Sequence, residues 1–227
     1  MNIDYESVKQ SLKNVYFING TACAGKSSVC KLLAEKYNMY HCEENYKIAD
    51  FIKLTTKESH PHMNYFNTMS SWEEFVTRDK EDYVAWMDGV SLETAEFEIM
   101  ELINLVNEKL DKDKKIIVDT NIPHHILKEI SDRSRVAYMV STPEIATNEW
   151  FHRMDEEKQF LLNVINNTNN PKENLQKYIN TIAYANRDER IAGFINTGYY
   201  VVKRTTLDED ILDKLKLIEK HFGLSKD

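Results

Sequence analysis

Gly20-Thr21-Ala22-Cys23-Ala24-Gly25-Lys26-Ser27 sets two glycines, a lysine and a hydroxyl in the order G-x-x-x-x-G-K-[ST], a spacing suited to wrapping a phosphate chain. Glycine supplies the backbone dihedrals that turn successive N–H groups inward. A helix starting at this point adds the partial positive charge of its first turn. The stretch therefore predicts a phosphate-binding loop for a nucleotide. Its contacts are expected from Gly20, Thr21, Ala22, Cys23, Ala24, Gly25, Lys26, Ser27 and Ser28. Lys26 is expected to bridge the outer phosphates, and the Ser27 hydroxyl to hold Mg²⁺.

Such a loop needs a carboxylate near the metal. Ile116-Ile117-Val118-Asp119 is an apolar run ending in an acid, so Asp119 is expected at the carboxyl edge of a sheet, where it orients the metal's shell or the acceptor. Glu43 and Glu44 close a shorter apolar stretch, Met39 to Cys42. Either carboxylate there can take a proton from an acceptor hydroxyl. Adjacent residues of an extended backbone point to opposite sides, so one of the two faces the site. Asp50 stands further along the following helix as a weaker candidate. Phosphoryl transfer also gains from cations that close over the phosphates. Arg153, Arg187 and Arg190 flank a polar, Asn-rich segment with the character of a lid, 154–192. The spacing of Arg187 and Arg190 predicts one shared helix face, with Asp188 and Glu189 between them as competing ion-pair partners.

Other chemistry-bearing residues lack a supporting pattern. His60-Pro61-His62 and His124-His125 have no further Cys or His at ligand spacing, so no zinc site is expected. Trp72, Tyr83 and Trp86 are candidates for an acceptor pocket wall or for packing. Cys23, Cys30 and Cys42 form no C-x-x-C pair and are expected as free thiols, with Cys23 partly exposed inside the loop.

The elements that must hold these residues alternate. Val15 to Asn19 reads as a buried strand and Ser28 to Tyr37 as a helix. Segment 46–110 contains no clear strand and reads as a helical acceptor-side insertion, with a long core helix over Thr94 to Leu110. Strands follow at Ile116 to Asp119, Val136 to Val140 and Tyr199 to Lys203. Pro123 and Thr142-Pro143 mark helix starts, the second helix reaching about Arg153. Asn166 to Pro171 breaks two helices, and Leu207 to Phe222 closes the chain amphipathically. Short strands alternating with helices predict a parallel sheet covered on both faces. No linker divides residues 1–227, which read as one domain.

The 42% hydrophobic content supports an ordinary core. A formal charge of −8 argues against a general nucleic-acid or membrane-surface binder. No apolar run has the length of a membrane span, and the N-terminus lacks the shape of a signal peptide. A cytoplasmic protein, monomeric or homodimeric, is expected.

Ile18 to Ser28 resembles the opening of small P-loop kinases. It is similar to the Asn-Gly-x-x-x-Ala-Gly-Lys-Ser-Ser form of chloramphenicol phosphotransferase-like and shikimate kinase-like proteins. The order of strands, insertion and Arg-flanked lid resembles the nucleoside monophosphate kinase superfamily. The closing His221-Phe222-Gly223-Leu224 is similar to an uncharacterised bacterial group of kinase-like ATP-binding proteins. The resemblance implies a three-layer α/β P-loop NTPase fold, a five-stranded parallel sheet of order 2-3-1-4-5, ATP as donor and Mg²⁺ as cofactor. In the chloramphenicol-modifying and shikimate-binding members an Asp after the second strand serves the acceptor hydroxyl; here Glu43-Glu44 stands there. Arg78 is the only arginine in 46–110, so the insertion has no Arg pair to bind a monophosphate or carboxylate. The expected function is an ATP-dependent kinase acting on a small-molecule hydroxyl. A nucleoside or nucleotide kinase and a non-catalytic ATP-binding regulator are the alternatives.

Overall fold

The apolar runs become the strands of one parallel sheet in the computed structural model, which describes residues 4–111, 113–152 and 155–225. They are β1 (Val15–Gly20), β2 (Tyr40–Cys42), β3 (Ile116–Asp119), β4 (Val136–Ser141) and β5 (Tyr200–Arg204). Their lateral order is β2-β3-β1-β4-β5, the order expected, with every pairing parallel. β3 and β4 are buried along their whole length, as a sheet covered on both faces requires.

Helices α1 (Tyr5–Ser11) and α2 (Lys26–Tyr37) flank the first strand. The insertion then supplies α3 (Ile48–Ile52), α4 (Pro61–Thr68), α5 (Trp72–Val76) and α6 (Lys80–Asn104). Beyond β3 come α7 (His124–Ile130), α8 (Pro143–Glu149), α9 (Glu156–Asn166), α10 (Pro171–Ala185), α11 (Asp188–Ile195) and α12 (Ile211–His221). Successive strand residues face opposite layers. Ile18, Ile117 and Ala137 pack on α2 and α12 through Val29, Leu33, Leu215 and Ile218. Phe17, Val118 and Tyr138 pack on the other layer with Ile99, Leu102 and Leu127.

α6 begins at Lys80, well before the expected Thr94. Gly89 and its polar neighbours interrupt the apolar period there, yet the glycine has a packing reason. A Cβ at Gly89 would overlap the His62 ring of α4. The helix ends in a π-helical turn at Leu105–Lys109, where the Leu110 N–H reaches the Leu105 carbonyl at 3.0 Å. The helix after β4 ends at Glu149 rather than near Arg153, and Arg153 lies outside the described residues.

Segment 154–192, expected as a lid, shares an apolar cluster with the insertion. Leu161, Ile165, Tyr178 and Ile182 pack with Phe75, Tyr83 and Val84. Among the described residues no helix is long and apolar enough to cross a membrane.

Candidate functional site

β1 ends in the glycine loop, whose two glycines are conformationally obligatory. Gly20 has φ +142°, and a Cβ there would overlap the Met139 carbonyl of β4. Gly25 has φ +94° at the N-terminus of α2, where a Cβ would press on Ile211. Only glycine takes both positions without strain. The Thr21 N–H donates to the Met139 carbonyl at 3.0 Å, extending the β1–β4 ladder into the loop. The Thr21 hydroxyl accepts from the Ser141 N–H at 2.8 Å, and the Ser141 hydroxyl donates to the Ala22 carbonyl at 2.6 Å.

Lys26 is buried and its Nζ donates to the Thr21 carbonyl at 3.1 Å. The register Ile18↔Asp119 sets the end of β3 two residues short of the end of β1, just before the glycine loop. There the Ser27 hydroxyl donates to Asp119 Oδ2 at 2.7 Å, joining residues 92 apart in sequence. α2 and α7 leave this pair of strands toward opposite layers, which opens the crevice expected at such a switch in an α/β sheet. Ser28 is exposed on the first turn of α2.

Two loop residues differ from expectation. The Ala22 N–H, expected to face phosphate, donates to Asn186 Oδ1 at 3.1 Å. Cys23, expected to be partly exposed, is buried at 7% exposure with its sulfur toward the Ala146 carbonyl. Its own carbonyl accepts from Arg204 Nη1 at 2.9 Å, and the same nitrogen reaches Glu149 Oε2 at 3.3 Å. α8 and β5 thus close over the loop and shield the thiol.

A cavity of about 700 Å³ opens beside the loop. Gly20, Thr21, Ala22 and Lys26 form its floor, Tyr83, Trp86, Met87 and Val90 of α6 an apolar wall, and Arg187 and Arg190 its far rim. Glu43 and Glu44 follow the end of β2 in a turn, not on extended backbone, and line different spaces. Glu44 faces this cavity, where Asn121 Nδ2 approaches its Oε1 at 3.5 Å. Glu43 is exposed and lines a separate recess with Glu98, Asp119 and Asn121. Asp50 lies on α3, exposed and paired with Lys53 at 2.8 Å, away from both spaces.

Glu98 was not anticipated. It sits among Ala95, Ile99 and Leu102, the buried stripe of α6, and this position within an apolar helical period was the available signal. Its Oε1 is enclosed with no hydrogen-bond partner among the described residues. Burial pushes its carboxyl up to about 7, with the negative charge of Asp119 adding to the rise and the Thr120 hydroxyl opposing it.

The arginines diverge from the shared face expected of them. Arg187 is the N-cap of α11 rather than part of it. Its guanidinium lies 4.2 Å over the Tyr184 ring and donates to the Tyr184 carbonyl at 2.8 Å. Arg190 is held by both oxygens of Asp88, at 2.6 and 3.1 Å. Of the aromatic candidates, Tyr83 and Trp86 line the cavity. Trp72 instead packs edge-on against Phe160 and Phe75 at the surface. His124 and His125 are exposed at the cavity edge, and His62 hydrogen-bonds Glu93 at 2.6 Å. Among the described residues no group of three or more His, Cys, Asp or Glu side chains is arranged to hold a metal.

Fold and site together define an α/β protein with a five-stranded parallel sheet and a glycine loop, a serine–aspartate pair and a large cavity at its carboxyl edge. No protein-family model matches the chain, and no curated protein matches it. Among solved structures it is similar to an uncharacterized protein from Eubacterium ventriosum ATCC 27560, at 16% identity over 94% of this chain and 99% of that one, with a TM-score of 0.42. A likeness that loose carries neither fold nor activity from one chain to the other.

Proposed function

We propose that this chain is an ATP-dependent phosphotransferase with a P-loop NTPase fold, acting on a hydroxyl of a small molecule. The observation that carries this reading is the 2.7 Å contact between Ser27 and Asp119; Ser27 follows Lys26, which lines the cavity, and Asp119 lines the recess with Glu43 and Glu98. A hydroxyl and a carboxylate oxygen are the donors that a hard cation prefers. Ser27 and Asp119 would hold Mg²⁺, with its remaining ligands from phosphate and water. Bound there, the ion neutralises charge on the phosphates.

The chain's own residues do the rest. Lys26 exchanges the Thr21 carbonyl for the outer phosphates, and the later loop amides, beyond those of Thr21 and Ala22 that are already engaged, receive the phosphate oxygens. Glu44 accepts the proton of the acceptor hydroxyl, with Asn121 fixing the direction of its carboxylate. Tyr83, Trp86 and Met87 exclude water from the acceptor's side. Arg187 stands at the rim as the cation for the developing charge. The two aromatic rings on the α6 wall favour one variant of the reading, a nucleoside or nucleotide as acceptor with its base against them.

The test is Lys26→Ala. It is expected to abolish Mg²⁺-ATP turnover and the rise in melting temperature that ATP gives the wild type, while circular dichroism stays native. Retained turnover would sink the assignment. A melting-temperature screen of nucleosides and hydroxylated metabolites, with Mg²⁺ and a non-hydrolysable ATP analogue present, identifies the acceptor.

A further inference from the structure

Asn186 joins two parts of the site that lie far apart in the chain. It caps the C-terminus of α10 and immediately precedes Arg187, the N-cap of α11. It is 3% exposed. Its Oδ1 accepts from the Ala22 N–H at 3.1 Å, 164 residues away, and its Nδ2 donates to the Ile182 carbonyl at 2.8 Å. Both ends of the carboxamide are engaged, which fixes its rotamer and the direction of its oxygen. Ala22 is held at its other backbone group as well, by the Ser141 hydroxyl donating to its carbonyl. The loop's third residue is therefore clamped between the end of β4 and the α10–α11 junction.

Arg187 begins at that junction. Its guanidinium is folded back on Tyr184 and lines the same cavity as Lys26. A cation serving a phosphoryl group must be placed to within about 0.5 Å to act fully. α10 packs on α6 and α8, whereas the Asn186–Ala22 hydrogen bond ties the junction straight to the loop.

We propose that Asn186 is a positioning residue: its carboxamide registers the α10–α11 junction on the glycine loop, so that Arg187 meets the transferring phosphoryl group. The proposal rests on the phosphotransferase reading above. Asn186 itself touches no reacting atom, and its effect is exerted through Arg187.

The experiment compares binding of Mg²⁺-ADP with binding of Mg²⁺-ADP plus aluminium fluoride, which mimics the phosphoryl group in flight and needs no acceptor. Asn186→Ala and Arg187→Ala are each expected to weaken the fluoride complex about tenfold while ADP affinity stays within about threefold. The double variant is expected to lose about tenfold and not a hundredfold, because both single changes remove one coupled contribution. Asn186→Ser keeps a hydroxyl to cap α10 but is too short to reach Ala22. It should retain the wild-type melting temperature and still lose the fluoride complex, which separates positioning from folding. Equal weakening of ADP and the fluoride complex would make Asn186 part of the loop scaffold only and overturn the proposal. Multiplicative losses in the double variant, or no loss in either single variant, would overturn it too. Lys26→Ala serves as the control for the underlying reading. If the wild type binds neither ligand, or Lys26→Ala binds them as well, the phosphotransferase assignment falls and the proposal with it. If Lys26→Ala loses both while the Asn186 variants lose nothing, the positioning role alone falls.

Discussion

Replacing Glu98 with glutamine removes a charge that the fold has to bury. Glu98 is half-buried beside the buried stripe of α6 and lines the recess with Glu43; it faces the charge of Asp119, and one of its carboxylate oxygens is enclosed with no partner among the described residues. Burial, the larger cause, and Asp119 together push the carboxyl from the ordinary 4.5 up to about 7. The sign follows from linkage. A group with a raised folded-state value keeps its full stabilising effect below the unfolded value, near pH 4.5, and loses it as the pH rises to about 7. A tenfold change in proton affinity is worth about 1.4 kcal/mol, so ionising Glu98 costs the folded chain about 3 kcal/mol by pH 8. Glutamine has nearly the same shape and no proton to lose. Glu98→Gln should therefore be more stable than wild type at pH 8 by about 3 kcal/mol, which in a chain of this size is roughly 6–12 °C in melting temperature. At pH 4.5 the two proteins should melt together. Urea unfolding of both proteins from pH 4 to 8.5 measures the difference directly, because the other titrating groups contribute equally and cancel. A stability difference that stays constant across that range would refute the argument that Glu98 is a buried, unwillingly ionised acid.

Two further changes test other parts of the structure. Gly20→Ala introduces a Cβ onto the Met139 carbonyl at a backbone φ of +142°, so it should cost several kcal/mol, about 3 or more. Soluble expression with a wild-type urea midpoint would contradict the close approach of β1 to β4. Glu209 is held down to about 2, first by its contact with Lys214 and then by the Thr205 and Thr206 amides. Its contribution is present above its ordinary value near 4.5 and lost as the pH falls toward 2. Because Glu209 is partly buried against a buried Lys214, Glu209→Gln should cost roughly 3 kcal/mol at pH 7, and the difference from wild type should shrink as the pH falls toward 2 in urea titrations.

How far the sequence could be read depends on how far each residue acts along the chain. The loop is written locally: Gly20 and Gly25 are needed because of dihedrals at their own positions, and a strand and a helix adjoin them directly. Asp119 was also within reach. An apolar run ending in an acid predicts a strand with a carboxylate at its end, and parallel pairing with β1 sets that end beside Ser27. Alternation of strands and helices predicts only the parallel sheet; its order, β2-β3-β1-β4-β5, matches what the resemblance implies.

Asn186 and Glu98 were not legible, for a different reason in each case. Asn186 acts on an amide 164 residues away, and an Asn beside an Arg at a helix end looks like an ordinary cap. Glu98 is an acid within an amphipathic helix, and whether its position faces the core depends on the angle at which α6 lies on the sheet. The same dependence hid the shared cluster of α5, α6, α9 and α10. Each of those helices shows an apolar stripe in sequence, but a stripe does not name its partner. That distinction bears on how the site works. Arg187 lies at the end of α10, whose apolar face is buried against the insertion that walls the cavity. On the phosphotransferase reading proposed above, a cation mounted in this way would reach a phosphate by turning its own side chain off Tyr184, with its starting point set by the clamp on Ala22. If that reading holds, substitutions in the shared cluster that leave the fold intact should lower the rate of ATP turnover through the placement of Arg187, while those in the glycine loop should weaken ATP binding, as turnover and melting-temperature assays on both sets of variants would show.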